Sequence, residues 1–235
     1  MILAAGLGTR LKPWTDKHPK ALAIINGKSL LQRNVEYLQK HNIYDVVVNV
    51  HHFADQIINA IERNKGWGSN ITISDETAVV LETGGGLKYA ANLLKASSSF
   101  VLMNCDILTD LDLSAVINFH QSENPLATIA VTDRKTSRYF LFTEHNELSG
   151  WRNVNTGEEK ISKVANVYQQ KAFSGIHILS NRIFDVIKQE GKFSMVDLYL
   201  SLAAEERIIG FDHSKTKFLD VGKPESIEQA ERLFQ

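Results

Sequence analysis

An apolar run from Met1 to Ala4 breaks into Ala5-Gly6-Leu7-Gly8-Thr9-Arg10. Two glycines directly after a strand let the backbone turn sharply and aim successive N–H groups at one point. Oriented amides of this kind form a concavity for anions, and Arg10 adds a planar fork suited to phosphate oxygens. The run lacks the Gly-Lys-Ser/Thr end of a Walker loop and the third glycine of the dinucleotide fingerprint. A second glycine cluster, Leu81-Glu82-Thr83-Gly84-Gly85-Gly86, precedes a helical stretch. There the backbone could approach a flat ligand closely or simply start a helix tightly. Asp106 closes the run Phe100 to Met103, and Asp220 closes a late strand in Leu219-Asp220-Val221-Gly222. In open parallel sheets ligands collect beyond the carboxyl ends of strands, so two such carboxylates can approach each other there. An isolated Asp at a strand end is more often a turn or cap residue. His51 and His52 are adjacent on an extended segment and point to opposite sides, which argues against a shared ligand role. No Ser-His-Asp or Cys-His set stands out.

The elements that must hold these residues alternate between short apolar runs and amphipathic stretches. Strands are expected at Met1 to Ala4, Asp45 to Val50, Asn70 to Ser74 and Phe100 to Met103. Helices are expected at Ser29 to His41 (with Ser29 as N-cap), Ala54 to Arg63 and Gly86 to Lys95. This β-α-β-α-β-α-β order argues for a parallel sheet with helices on both faces. The second half reads as strands at Ala127 to Thr132, Tyr139 to Thr143, Glu147 to Arg152, Phe173 to Leu179, Arg207 to Phe211 and Thr216 to Leu219. Helices are expected at Arg182 to Gln189 and, with Pro224 in its first turn, Pro224 to Phe234. Asn153 to Asn166 is polar and aperiodic, a loop that could lie over a site. The fold class is α/β: a Rossmann-like mixed, mainly parallel sheet flanked by helices. One compact unit is expected over residues 1–235, with a change of character after about residue 110.

The opening motif and its continuation, Gly6-Leu7-Gly8-Thr9-Arg10-Leu11-Lys12-Pro13-Trp14-Thr15 followed by His18-Pro19-Lys20-Ala21-Leu22, resembles the sugar-1-phosphate nucleotidyltransferases. The same family carries an Asp at the Asn104-Cys105-Asp106 position and another at Asp220. By that resemblance Arg10, Lys20 and Asp106 are catalytic. Leu3, Ala4, Ala5, Gly6, Gly8, Thr9, Arg10, Lys20, Glu82, Gly85 and Asn104 bind nucleotide. Ser174 and Gly175, within Phe173-Ser174-Gly175-Ile176-His177, line the sugar pocket, and Asp106 with Asp220 holds Mg²⁺. Taken alone, Lys20 would read as a solvated surface charge. Cys105 stands where glycine is usual in the family and is expected to be a small apolar group. Many relatives carry a Glu-Lys-Pro turn before the sugar-pocket strand, with a second lysine touching the sugar phosphate; this chain has no such triplet, and its sequence does not choose among Lys160, Lys163 and Lys171. The resemblance also makes residues 1–110 the nucleotide-binding half and 111–235 the sugar-binding half.

The resemblance implies that an oxygen of a sugar 1-phosphate attacks the α-phosphorus of a nucleoside triphosphate and expels pyrophosphate. The Glu82 to Gly86 segment looks most like the N-acetylmuramate 1-phosphate uridylyltransferase branch, with mannose 1-phosphate guanylyltransferases close to it. Two rivals are a phosphocholine cytidylyltransferase and an inactive sensor of sugar nucleotides, which would be expected to have lost Arg10, Lys20 or an Asp. With 235 residues, 43% apolar and a net charge of −1, the chain has material for a large core and no broad basic field for nucleic acid. Its single cysteine excludes an intrachain disulfide and a Cys-ligated zinc site. No run reaches the roughly 20 apolar residues of a membrane span, and no secretory signal is recognisable. A cytoplasmic protein acting on small molecules is expected.

Overall fold

A computed structural model describes all residues, 1–235. The first half contains β1 (Ile2–Leu3), β2 (Ile24–Ile25), β3 (Lys28–Ser29), α1 (Leu30–Lys40), β4 (Asp45–Val50), α2 (Ala54–Arg63), β5 (Asn70–Asp75), α3 (Glu82–Tyr89), α4 (Ala91–Leu94), β6 (Ser99–Asn104) and β7 (Ile107–Thr109). The second half adds α5 (Leu113–Glu123), β8 (Ala127–Thr132), β9 (Arg138–Phe142), β10 (Leu148–Asn153), β11 (Glu159–Ile161), β12 (Gln169–Ser180), α6 (Ile183–Val186), α7 (Met195–Leu202), β13 (Ile208–Asp212), β14 (Phe218–Asp220) and α8 (Pro224–Leu233). A ten-stranded mixed sheet runs through both halves, with β11-β10-β9-β12-β6-β1-β4-β5 in order and β8 joining β12 to β13. The strands β6, β1, β4 and β5 are mutually parallel, and the long β12 joins them antiparallel to β6.

The period-two alternation of the strands divides the core between the two faces of the sheet. Leu3, Val47 and Leu102 pack on one face with residues of α3, α6 and α7. Ile2, Val46, Val48, Val101 and Met103 pack on the other with α1, α2 and α5. A third, smaller cluster ties Leu11, Ile25, Leu108 and Val221 to Ala230 of α8. The N-cap at Ser29 is present, its hydroxyl accepting from the Gln32 amide at 3.1 Å.

Several expectations change. The helix expected at Gly86 to Lys95 begins four residues earlier, at Glu82, and breaks after Tyr89. The helix expected at Arg182 to Gln189 is one turn, Ile183–Val186. Two helices, α5 and α7, lie where none was assigned. The Asn153 to Asn166 segment contains β11, which pairs with β10, and the amides of Ser162 and Lys163 bond the Ser149 carbonyl. It is tied to the sheet edge instead of lying over the cleft.

The three glycines of α3 sit at close contacts. A Cβ on Gly84 would meet the Phe193 ring at 2.5 Å, one on Gly85 the Gly191 carbonyl at 2.4 Å, and one on Gly86 the Glu76 carboxylate at 2.6 Å. The Gly84 and Gly85 amides both donate to the Phe193 carbonyl, at 2.9 and 3.1 Å. Gly85→Ala should therefore cost about 1–3 kcal/mol through overpacking against backbone. At roughly 2–4 °C per kcal/mol for a domain of this size, a thermal melt should show a loss of several degrees; an unchanged melting temperature would contradict this packing.

Candidate active site

The turn after β1 faces a cleft of about 550 Å³. The backbone N–H groups of Ala5, Gly6, Leu7 and Gly8 have no acceptor within the protein, so four donors are available at the cleft wall. Gly8 adopts φ +63°, and a Cβ there would meet Thr15 Cγ2 at 2.8 Å and Lys20 Cβ at 3.0 Å. The left-handed glycine thus lets the loop close onto the stem of Lys20. Lys20 is only 8% exposed, and its ammonium is paired with Asp106 Oδ2. A buried lysine of this kind needs a partner to retain its charge, and Asp106 supplies it.

Asp106 and Asp220 are brought together by backbone pairing. Asp220 is in register with Ile107 across the β7–β14 ribbon, and the Val221 amide donates to the Asp106 carbonyl at 2.8 Å. Burial, with the charge of Asp106 adding to it, raises the Asp220 carboxyl above its ordinary range; Lys20, Arg10 and Arg134 oppose the shift. Asp220 Oδ1 is buried without a hydrogen-bond partner. Arg10 lies 4.0 Å from the other oxygen of Asp220, its guanidinium lying close over Gly222, where a Cβ would stand 2.9 Å from it.

Of the sequence-predicted residues, Leu3, Ala5, Gly6, Gly8, Thr9, Arg10, Lys20, Glu82, Asn104 and Asp106 line this one cleft. Ala4, Gly85, Ser174, Gly175 and Asp220 do not line it, and the first three are committed elsewhere. The Ala4 amide is already bound to Asn49 Oδ1 at 2.7 Å. Gly85 lies beneath Gly191 and Phe193, off the cleft wall, because its N–H and Cα face are both spent on that packing. Ser174 is fully buried, its hydroxyl 2.7 Å from His213 Nε2, so its side chain braces the strand and does not face a ligand. Gly175, at φ +72°, leaves room for the Asn104 amide, which a Cβ would approach to 2.9 Å. Cys105 is buried as expected, and burial pushes its thiol up to about 12.

Sequence reasoning missed the polar residues that hold the site in place. Asn34 Nδ2 donates to the Cys105 carbonyl at 2.7 Å and so fixes the turn before Asp106. Asn49 bridges the Ala4 amide and the Glu76 carboxylate, donating to Glu76 Oε1 at 2.8 Å. A polar Asn inside the run Val46-Val47-Val48-Asn49-Val50 was the available signal. His51 and His52 do diverge: His51 lines the cleft and donates from Nδ1 to the Glu76 carbonyl at 2.7 Å, whereas His52 packs on Phe53. A groove of about 620 Å³ between α1, β7 and α8 holds none of the predicted site residues.

The profile of the nucleotidyl transferase family matches residues 1–235. The chain belongs to that family. It is similar to N-acetylmuramate alpha-1-phosphate uridylyltransferase of Caulobacter vibrioides, with 33% identity over 98% of this chain and 94% of that protein. It is also similar to mannose-1-phosphate guanyltransferase of Yarrowia lipolytica, with 30% identity over all of this chain and 63% of that one. Among solved structures, HddC from Yersinia pseudotuberculosis complexed with GMP-PN superimposes with a TM-score of 0.80, at 25% identity over 100% of this chain and 98% of that one. The family and these relatives make the protein a sugar-1-phosphate nucleotidyltransferase. No helix is long and apolar enough to cross a membrane.

Burial raises the pKa of Glu76, against the opposing bond from Asn49. A raised carboxylate pKa means that the contribution of Glu76 to stability is complete below the ordinary carboxylate range and is lost as pH rises through the raised value. Glu76→Gln keeps the acceptor for Asn49 and removes the titration. Melts of both proteins from pH 4 to 8 should show the variant gaining on the wild type as pH rises; a constant gap would contradict the assignment.

Proposed function

We propose that the protein transfers a uridylyl group from UTP to N-acetylmuramate 1-phosphate, giving the nucleotide sugar and pyrophosphate. The observation that carries the reaction is the convergence, in one cleft, of four unpaired amides after β1, the buried Lys20 and Asp106, with Asp220 brought next to Asp106 by the β7–β14 pairing. The choice of substrate is supported by the uridylyltransferases of Caulobacter vibrioides and Neisseria meningitidis, 33% and 28% identical to this chain. A guanylyl donor with a mannose 1-phosphate acceptor is the second reading, favoured by the Yarrowia relative and by the GMP-PN complex of HddC.

The acceptor phosphate is already anionic at neutral pH, so the reaction needs no general base. What remains is alignment of two anions and neutralisation of their charge. The amides of Ala5 to Gly8 would receive the β- and γ-phosphates of the leaving group, with Arg10 reaching the same side. Lys20, held at the floor of the cleft, would offset charge between the two substrates. The unpartnered Oδ1 of Asp220 and the adjacent Asp106 suit Mg²⁺, which takes few protein ligands and fills its shell with phosphate oxygens and water. Bound there, the ion would supply positive charge to the phosphate oxygens. Asn104, across the bulge at Gly175, faces the region where the sugar would lie.

Asp106→Asn and Asp220→Asn should each keep a cooperative melt and lower Mg²⁺-dependent pyrophosphate release about 10²-fold or more. The assay pairs UTP, GTP, CTP and dTTP with N-acetylmuramate, N-acetylglucosamine, mannose and glucose 1-phosphates and with phosphocholine. The strongest signal is expected from UTP with N-acetylmuramate 1-phosphate. Full turnover in either variant would remove the carboxylates from the mechanism, and a stronger signal from another pair would move the substrate.

A further inference from the structure

The charges around Asp220 are not on one side only. Arg10 approaches it from the loop after β1, at 4.0 Å. A second guanidinium, Arg134, also bears on it, from the segment that follows β8. Two contacts fix Arg134 in that place. Its Nη2 donates to the Phe173 carbonyl at 2.9 Å, one residue before the Ser174–Gly175 bulge of β12. Its guanidinium lies 5.2 Å over the ring of Phe218. Phe218 and Asp220 are two residues apart on β14 and therefore project from the same face of that strand. The ring of Phe218 is in turn set against His213, which is locked between Ser174 and Thr216 by two 2.7 Å bonds.

Arg134 has no carboxylate within ion-pairing distance, and the Phe173 carbonyl is its sole hydrogen-bond acceptor within the protein. Most of a fork of five N–H donors is thus unspent, on a side chain whose position is braced by an aromatic face. Arg10 stands on the side of the unpaired amides, and Arg134 on the side of Gly175 and Asn104.

We infer that Arg134 is the anchor for the phosphate of the acceptor, a phosphomonoester that enters between Asp220 and the Gly175 bulge. The inference rests on the proposed transfer reaction and adds the group that holds its second substrate. It assigns to an arginine on β8's exit the charge that Lys160, Lys163 and Lys171 do not supply. Lys163 and Lys171 are paired with Glu147, and with Asp133 and Asp212, respectively, and Lys160 lies over Trp151 near Asp197. A planar fork matches two phosphate oxygens at once, so lysine would be a poor replacement.

The test measures binding and turnover in Arg134→Gln and Arg134→Lys. Calorimetry with N-acetylmuramate, mannose and glucose 1-phosphates and with phosphocholine, each in the presence of Mg²⁺, reads phosphomonoester affinity directly. Titration with UTP and GTP reads the donor side. The expected result is at least a tenfold loss of affinity, and a matching rise in acceptor KM, for the phosphomonoester that the wild type binds best. Donor affinity and melting temperature should stay unchanged, and lysine should restore only part of the loss. Unchanged phosphomonoester affinity in Arg134→Gln, an equal loss of donor affinity, or no phosphomonoester binding by the wild type would each overturn the inference. Turnover by the wild type in the substrate matrix reports separately on the reaction itself, because phosphomonoester binding is read without it.

Discussion

Two carboxylates held side by side must be neutralised, and much of this molecule is arranged around that requirement. Asp106 and Asp220 meet because β7 and β14 pair in one register, a backbone fact that no side-chain rotation can undo. A like charge beside a partly buried carboxylate destabilises the fold unless positive charge lies close. Lys20 answers Asp106 directly, while Arg10 and Arg134 flank Asp220 more loosely. Asp220 keeps one buried oxygen with no partner, an arrangement that is costly in a bare protein and suited to a bound cation.

The elements around the pair are placed by ordinary packing and fixed by a few polar bonds. Alternating residues of β1, β4 and β6 build the core on both sides of the sheet, which sets the C-terminal strand ends at one edge. Asn34 then holds the Cys105 carbonyl, and Asn49 joins the Ala4 amide to Glu76. These bonds decide where the loop after β1 begins and where Asp106 points. Because each lies in a buried setting, loss of one partner would leave a desolvated polar group, typically costing about 1–3 kcal/mol.

Much of this was readable from the sequence, and the failures have physical causes. The turn after β1 and the strands β1, β4, β5 and β6 were legible because strand patterning and motif spacing are local, whereas the short β2, β3 and β7 carry too few residues to show a pattern. The helix α7 was not, because six of its eight residues are apolar and its polar face is reduced to Asp197 and Ser201. The ends of β12 were hidden for the opposite reason: Gln169, Gln170 and Lys171 are polar yet pair with β9. The glycines of α3 are helical and closely packed, Gly84 and Gly85 against Phe193 and Gly191 and Gly86 against Glu76 and Asn49, so their small size serves contacts distant in sequence. Ser174 looked like a pocket residue because it precedes Gly175, and only the fold shows His213 meeting it from β13's end.

The central claim is that Asp106 and Asp220 act as one cation-binding unit beside the loop after β1. Water-proton relaxation with Mn²⁺ in place of Mg²⁺, read with bound UTP, tests it most directly. The account predicts a protein-dependent enhancement that either single Asp→Asn substitution removes, with the double substitution no worse than each single one. Retention of the full enhancement in Asp220→Asn, or losses that accumulate independently in the double variant, would contradict it.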